Sequence, residues 1–415
     1  MKVFKFGGAS VKDAESVKNI STVLDQFRSE SIIVVVSAMG KTTNVLEEVA
    51  RSYFLRQLDV FEKLDLVKEF HEAILLELFP AKHPIFDEVS NLFVEIEWAL
   101  EEEPRPEYSY EYDQIVSIGE LVSTRIVSAY LNQVNLKNLW IDARDVIKTD
   151  NKYQAASIDW SETKKHVEVL MGNDLMYVTQ GFIGCTSENF TTTLGREGSD
   201  YSAAIFATLL KAESLVIWKD VPGVLNADPR YFTNPIKIDN LSFQEAIELA
   251  FYGASVIHPK TLQPLKRNNI PLVVRSFINH QEKGTLISAK ENSNPDRSFY
   301  ILKKNQILLS ISVDELDFIV ENHLSTAFSI LDKHNARVSL VQNSAISCSF
   351  AIDVDDLLFE SLIDSLSRKF SVKYNTGLEL LTIRHYNEID VKKSLVGKEI
   401  FLSQRNRTTI QILYK

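Results

Sequence analysis

Through the first 290 or so residues, short apolar runs alternate with longer stretches in which apolar residues return every three to four positions. Residues 32–36 (I-I-V-V-V) form a continuous run rich in β-branched side chains, the mark of a strand buried on both faces. Residues 139–141, 176–179, 215–218 and 272–276 predict further strands, and Val3 and Phe4 open another. Between them, residues 10–27 predict a helix. Ser10 stands at its cap, and Val11, Ala14, Val17, Ile20, Leu24 and Phe27 form its apolar stripe. Residues 44–103 are helix-rich, with acids on the exposed side, and residues 101–111, holding Pro104 and Pro106, predict a loop. Residues 121–131 are again helical, and Ser242 with Glu245 predicts a capping box for a helix ending near Tyr252. The alternation predicts an α/β sandwich around a mostly parallel sheet.

A polar stretch at 291–297 (E-N-S-N-P-D-R) marks a domain boundary. Beyond it, strand patterns at 307–313, 337–342, 346–354 and 372–384 interleave with helical ones at 325–335 and 357–370. That order, βαββαβ, is ferredoxin-like. Two more strand patterns, at 399–403 and 408–413, leave too little chain for a second full unit. The expected domains are 1–290 and 298–415, the latter with one full unit at about 305–386 and an abbreviated partner.

Composition narrows the classes. The chain has 415 residues and a formal net charge of −11, which argues against nucleic-acid or anionic-membrane binding. No run of about 18 apolar residues predicts a membrane span. Cys185 and Cys348 form no metal spacing and suit a reduced, cytoplasmic setting.

Chemistry concentrates in two glycine loops. Lys5-Phe6-Gly7-Gly8-Ala9-Ser10 follows the first strand, and Gly195-Arg196-Glu197-Gly198-Ser199-Asp200 leads into an Ala-rich helix. Each offers free backbone N–H groups to an anion, so the pair points to phosphoryl transfer. Lys5, between two phenylalanines, needs a partner, either a structural carboxylate or a phosphate on Gly7 and Gly8. Asp200 could cap its helix or hold Lys5. Glu120, in S-I-G-E, could serve the helix dipole or a ligand, and Arg196 is placed to clamp a carboxylate. Residues 34–43 (V-V-V-S-A-M-G-K-T-T) lack the glycine a P-loop needs at Val35, but Ser37 and Thr43 could offer hydroxyls to a polar substrate. Asp220 precedes a Pro222-Gly223 turn, Arg230 lies in a second turn, and His258 reads as structural.

Taken in order and spacing, K-F-G-G-A-S, S-I-G-E, T-T-L-G-R-E-G-S-D-Y-S-A-A, K-D-V-P-G-V and V-I-H-P-K-T resemble the amino-acid kinase superfamily, and within it the aspartate kinases. The C-terminal region is similar to their ACT domains. The resemblance implies an amino-acid-kinase-type αβα sandwich with a mostly parallel sheet, then an ACT-like α+β regulatory region. It implies ATP-dependent phosphorylation of the β-carboxylate of L-aspartate, the first step of lysine, threonine and methionine biosynthesis. By matching position, Lys5 would stabilise the transferring phosphoryl group and Asp200 would orient Lys5. Ser37, Thr43, Glu120, Arg196 and Ser199 would bind aspartate. Gly7, Gly8, Gly198, Lys219, Asp220, Leu225, Arg230, Ser255 and Val256 would bind ATP, with Mg2+ accompanying the nucleotide and no dedicated metal site. An amino-acid effector at the ACT-like region and a homodimer joined through residues after about 300 are further implications. Alternatives from other classes are a catalytically weak metabolite-sensing subunit and a same-fold kinase for another small carboxylate.

Several positions depart from that family's pattern. Ala9 replaces a threonine, Glu197 a glycine and Ser255 a lysine, while Ser339 stands where lysine-sensing members carry an acid.

Overall fold

Phe4 and Phe6, on one face of the opening strand, pack against Trp218, and Lys5 on the other face meets Asp200. Both faces of this strand, β1 (Lys2–Phe6), are therefore covered, and it lies inside the larger sheet. The computed structural model describes residues 1–169, 176–254, 257–289, 297–313 and 318–415. The expected boundary at 291–297 lies almost wholly outside these residues.

The other strands of this half are β2 (Ile32–Val36), β3 (Asn138–Ile141), β4 (Met176–Gln180), β5 (Ile183–Cys185), β6 (Thr191–Thr193), β7 (Leu215–Lys219), β8 (Asn240–Ser242), β9 (Leu272–Ser276) and β10 (Thr285–Ser288). Eight of them form one sheet in the order β3-β4-β2-β1-β7-β9-β10-β8. All neighbours run parallel except β9 and β10. β5 and β6 form a separate antiparallel pair. The apolar run of β2 is buried at every position, as a two-sided strand requires.

Local chemistry moves some helix ends from their expected places. Past Gly7 the chain tightens into a 3-10 turn, Gly8–Val11, so the helix starts later, at Ala14–Asp25. Its cap is Asp13, which accepts from Ser16 N at 2.8 Å, and not Ser10. The loop expected over 101–111 is shorter, because a helix already begins at Tyr108–Val116. Ser242 does cap its helix, Phe243–Tyr252, accepting from Glu245 N at 3.1 Å.

The C-terminal strands are β11 (Phe299–Ser312), β12 (Arg337–Asn343), β13 (Ser347–Asp353), β14 (Ser371–Arg384), β15 (Ile400–Arg405) and β16 (Thr409–Tyr414). They form an antiparallel sheet in the order β12-β13-β11-β14-β16-β15. The first four have the ferredoxin-like arrangement, and helices Glu321–Lys333 and Asp356–Ser367 contribute to the core cluster on that part of the sheet. β14 is long enough to pair beyond this unit with β16, which carries the abbreviated second part.

The chain divides into two compact units. One comprises Met1–Val224, Lys237–Ile247 and Val256–Ser293, the other Leu225–Ile236, Glu248–Ser255 and Asn294–Lys415. Backbone bonding explains one of the short pieces in the second unit: Asn226 O accepts from Tyr300 N at 2.8 Å, at the start of β11.

Candidate active site

β1, β2 and β7 run parallel side by side, so Phe6, Val36 and Trp218 end level with one another. The segments leaving those ends crowd one edge of the sheet, where open α/β folds place their ligands. Two of them are tied together by Gly40 N, which donates to Gly8 O at 3.1 Å. The approach leaves no room for a side chain: a Cβ on Gly8 would lie 2.8 Å from Gly40 O and 2.9 Å from Ala38 O. Gly8→Ala is therefore expected to displace the loop, cost about 1–3 kcal/mol in stability and weaken nucleotide binding; a thermal melt with a nucleotide titration checks both.

Lys5 projects from β1 towards helix Gly198–Leu209, and its Nζ lies 2.7 Å from Asp200 Oδ1. Both residues are buried. The Asp200 carboxyl is pushed up by burial, but Lys5 and Lys219 outweigh that and hold it below the usual carboxylate range. So Asp200 holds Lys5. The residue at the helix cap is Glu197, whose side chain makes no capping bond. Glu197 sits in the left-handed region at φ 54°, a conformation that favours glycine and strains other residues.

Glu120 is in the first turn of helix Ile118–Gln133, yet it is only 2% exposed, so it is no solvated dipole partner. Its Oε1 accepts weakly from Ala38 N at 3.4 Å, and its Oε2 is buried with no partner among the described residues. Burial pushes its carboxyl up to about 8, against the opposing pull of the Ala38 N–H and the Lys5 charge. Lys5 and Lys219 both act on Asp200, and Lys5 acts on Glu120 as well, so these charges form one cluster.

The remaining expected residues divide by place. Gly7 adjoins Lys5 so closely that a Cβ there would lie 3.2 Å from Nζ. Ser37 is half-buried, its carbonyl accepting from Ser123 Oγ at 2.7 Å, and Thr43 is half-buried in the first turn of helix Thr42–Phe54. Gly198 and Ser199 are buried at the start of their helix, whereas Arg196 and Asp220 are exposed. Leu225 and Arg230 belong to the second unit, where Arg230 donates to both oxygens of Asp228, Nε to Oδ1 and Nη2 to Oδ2. Ser255 and Val256 lie outside the described residues. His258 caps helix Pro259–Arg267 by accepting from Lys260 N at 3.2 Å, in keeping with a structural role.

Two residues carry roles that sequence reasoning missed. Asp113 is fully buried and accepts from Thr193 N at 2.8 Å, Thr193 Oγ1 at 2.7 Å and Gln154 N at 3.0 Å. It thereby fastens β6 two residues before Gly195. Thr42 Oγ1 is buried beside Thr43 without a partner among the described residues. A threonine pair after a glycine was the only signal for the second, and nothing local marked the first.

In the second unit, Ser339 accepts from Lys303 Nζ at 3.1 Å.

A buried lysine held by an aspartate at the sheet edge, between two glycine turns, suits a phosphate in transit. This is the chemistry of the small-molecule kinases. The amino acid kinase family model matches residues 1–276. Lysine-sensitive aspartokinase 3 of Escherichia coli (strain K12) is 34% identical over 412 residues, 96% of this chain and 90% of that protein. The crystal structure of E. coli aspartokinase III in complex with aspartate and ADP (R-state) superposes with a TM-score of 0.85 at 32% identity, covering 100% of this chain and 96% of that one. The same E. coli enzyme in complex with lysine and aspartate (T-state) gives 0.83 at 32% identity, covering 100% and 95%. The chain belongs to the amino acid kinase family and, within it, to the aspartokinases.

Proposed function

We propose that this chain transfers the γ-phosphoryl group of ATP to the β-carboxylate of L-aspartate, forming 4-phospho-L-aspartate. The observation that carries the reading is the buried Lys5–Asp200 pair beside Glu120, a buried carboxyl with an unpartnered oxygen. Glu120 takes the substrate ammonium, and exposed Arg196 takes the α-carboxylate in a bidentate fork. Ser37, Thr43 and Ser199 complete the aspartate contacts. Backbone N–H groups of Gly7, Gly8 and the Gly198-Ser199 turn hold the phosphates, with Ser199 N as that turn's donor because Gly198 N is bonded to Gly195 O at 2.9 Å. Lys5 neutralises charge on the transferring group, and Asp200 keeps Lys5 aimed. Lys219 and Asp220 serve the nucleotide. The attacking carboxylate is already ionised at neutral pH, so positioning and electrostatics suffice and no general base is required.

Among the described residues no group of three His, Cys, Asp or Glu side chains stands together as a metal cage. A magnesium ion is assigned to the nucleotide's phosphates, where it would neutralise their charge. Among the described residues no helix is long and apolar enough to cross a membrane, and a reaction that consumes ATP and aspartate suits a cytoplasmic setting.

Hydroxylamine trapping tests the reading directly. Hydroxamate is expected with L-aspartate, ATP and Mg2+, and not with glutamate or succinate; folded protein that yields none refutes it. The same assay addresses feedback. Because Lys303 already occupies the oxygen of Ser339, millimolar lysine is expected to leave the rate unchanged, and strong inhibition would contradict that.

The antiparallel sheet ends in β12 and β15, two edges with no strand beside them among the described residues. Edges of this kind are commonly covered by pairing. A homodimer through the C-terminal region is expected, and light scattering on a chain ending at 293 is expected to read a monomer.

A further inference from the structure

A cavity of about 250 Å³ opens among Ala155, Trp160, Tyr201, Lys260, Gln263 and Arg267. It shares no residue with the cluster around Lys5, Glu120 and Asp200. At about 30 Å³ per water it has room for roughly eight waters, enough for a small organic molecule. Its lining includes no acid, although the chain as a whole has a net charge of −11.

The charged and amide groups reach this cavity from its exposed rim. Lys260 and Arg267 are seven positions apart on helix Pro259–Arg267, two turns on one face, with Gln263 between them. Among the described residues neither cation has an ion pair, and the Tyr201 hydroxyl makes no hydrogen bond. Trp160 and Tyr201 stand at the first turns of their helices and supply flat apolar surface. Of its apolar lining, Ala156 belongs to a small core cluster with Leu194 and Ile205, against which Ile158 and Tyr201 pack.

We propose that this cavity is a second ligand site, taking a small carboxylate with a planar apolar body. The carboxylate pairs with Arg267 and Lys260, and the flat body lies against Trp160 and Tyr201, whose faces also favour cations and rings.

The site adjoins the catalytic glycine loop from outside. Ala156 N donates to Thr193 O at 3.0 Å, and a Cβ on Gly195 would lie 3.1 Å from Gln154 O. Tyr201 is the neighbour of Asp200 in the same helical turn. A ligand that touches residues 155–158 and Tyr201 therefore bears on the two segments that flank the loop of Arg196. Occupancy changes the affinity for aspartate, a consequence that rests on the aspartokinase reading above, whereas binding itself does not.

The test uses the full chain with 3-phenylpropanoate as probe, its neutral analogue 3-phenylpropanol, and inorganic phosphate, followed by ligand-observed NMR and calorimetry. The expected result is binding of 3-phenylpropanoate that is weakened at least tenfold in Arg267→Ala and in Trp160→Ala, with little binding of the alcohol or of phosphate. Aspartate KM is expected to shift at least twofold in the wild-type chain when the probe is present, and not in Arg267→Ala. No binding of any probe overturns the site. Equal binding by both variants also overturns it, and phosphate binding as strongly as the carboxylate reduces it to a simple anion site and overturns the planar-body assignment. A binding result without any KM shift sinks the coupling alone, and inactive protein that still binds leaves the site standing while removing the kinase reading.

Discussion

Lys5→Met is expected to lower kcat by about three orders of magnitude, because the variant removes the one buried cation aimed from β1 at the sheet edge. Loss of a single preorganised donor at a developing charge typically costs 10²–10³ in rate, and a missing cation at a transferring phosphoryl group 10³ or more. The fold survives, since methionine fills the same channel between Val35 and Ile217, but stability changes with a diagnostic sign. Asp200 is held below the usual range only because Lys5 and Lys219 outweigh its burial. In the wild type its contribution to stability is present above the unfolded carboxylate pKa and is lost as pH falls through the depressed one. With Lys5 gone, burial outweighs what Lys219 supplies, and the carboxyl moves up. The variant then loses stability as pH rises, the reverse of the wild-type trend. The double variant Lys5→Met/Asp200→Asn removes the stranded charge and is expected to recover the melting temperature without recovering turnover. Turnover of Lys5→Met within tenfold of wild type would take Lys5 out of the reaction.

The double variant also separates positioning from chemistry. Asp200→Asn by itself is expected to lower kcat because Lys5 is no longer aimed. In the Lys5→Met background it has nothing left to aim, so the two losses do not add.

How much of this site could be read from the chain follows from where each residue's partners lie. β2 was legible because a strand buried on both faces must be apolar throughout, and residues 32–36 are. Lys5 was legible because a lysine inside an apolar strand beside two glycines has few explanations. Glu120 was only half legible: an acid in a first helical turn looks the same whether it faces water or a core, and only the packing around Ala38 decides. Asp113 could not be found, because its partner Thr193 is 80 residues away and an acid inside a helical pattern reads as solvated. The start of its helix was hidden as well, by Pro104, Pro106 and the acids around them. The division into units was equally non-local. Residues 225–236 sit in the middle of an α/β pattern, and their place beside β11 depends on the Asn226–Tyr300 backbone bond, which no local signal announces.

Glu120 gives the second large effect, and it is read in protons. Its carboxyl lies at about 8 in the free protein, so at pH 7 it is mostly protonated. Taking up the aspartate ammonium requires the ionised form, because an ammonium beside a neutral buried acid gains little and still loses its water. Binding therefore expels a proton. Well below pH 8 the affinity for aspartate should rise about tenfold per pH unit, then level off as Glu120 ionises unaided. Calorimetry at pH 7 in two buffers of different ionisation enthalpy should record close to one proton released per aspartate bound. Folding stability moves the other way: a carboxyl whose folded value is raised favours the fold at low pH and loses that contribution as pH climbs from the unfolded value towards 8. Glu120→Gln keeps the shape of the side chain and removes the titration. It should flatten the pH dependence of both quantities and raise KM for aspartate by about 30-fold or more, since truncating one partner of a buried charge pair costs at least about 2 kcal/mol. If Glu120→Gln kept the wild-type pH slope, the released proton would come from another group, and the substrate ammonium would be held elsewhere.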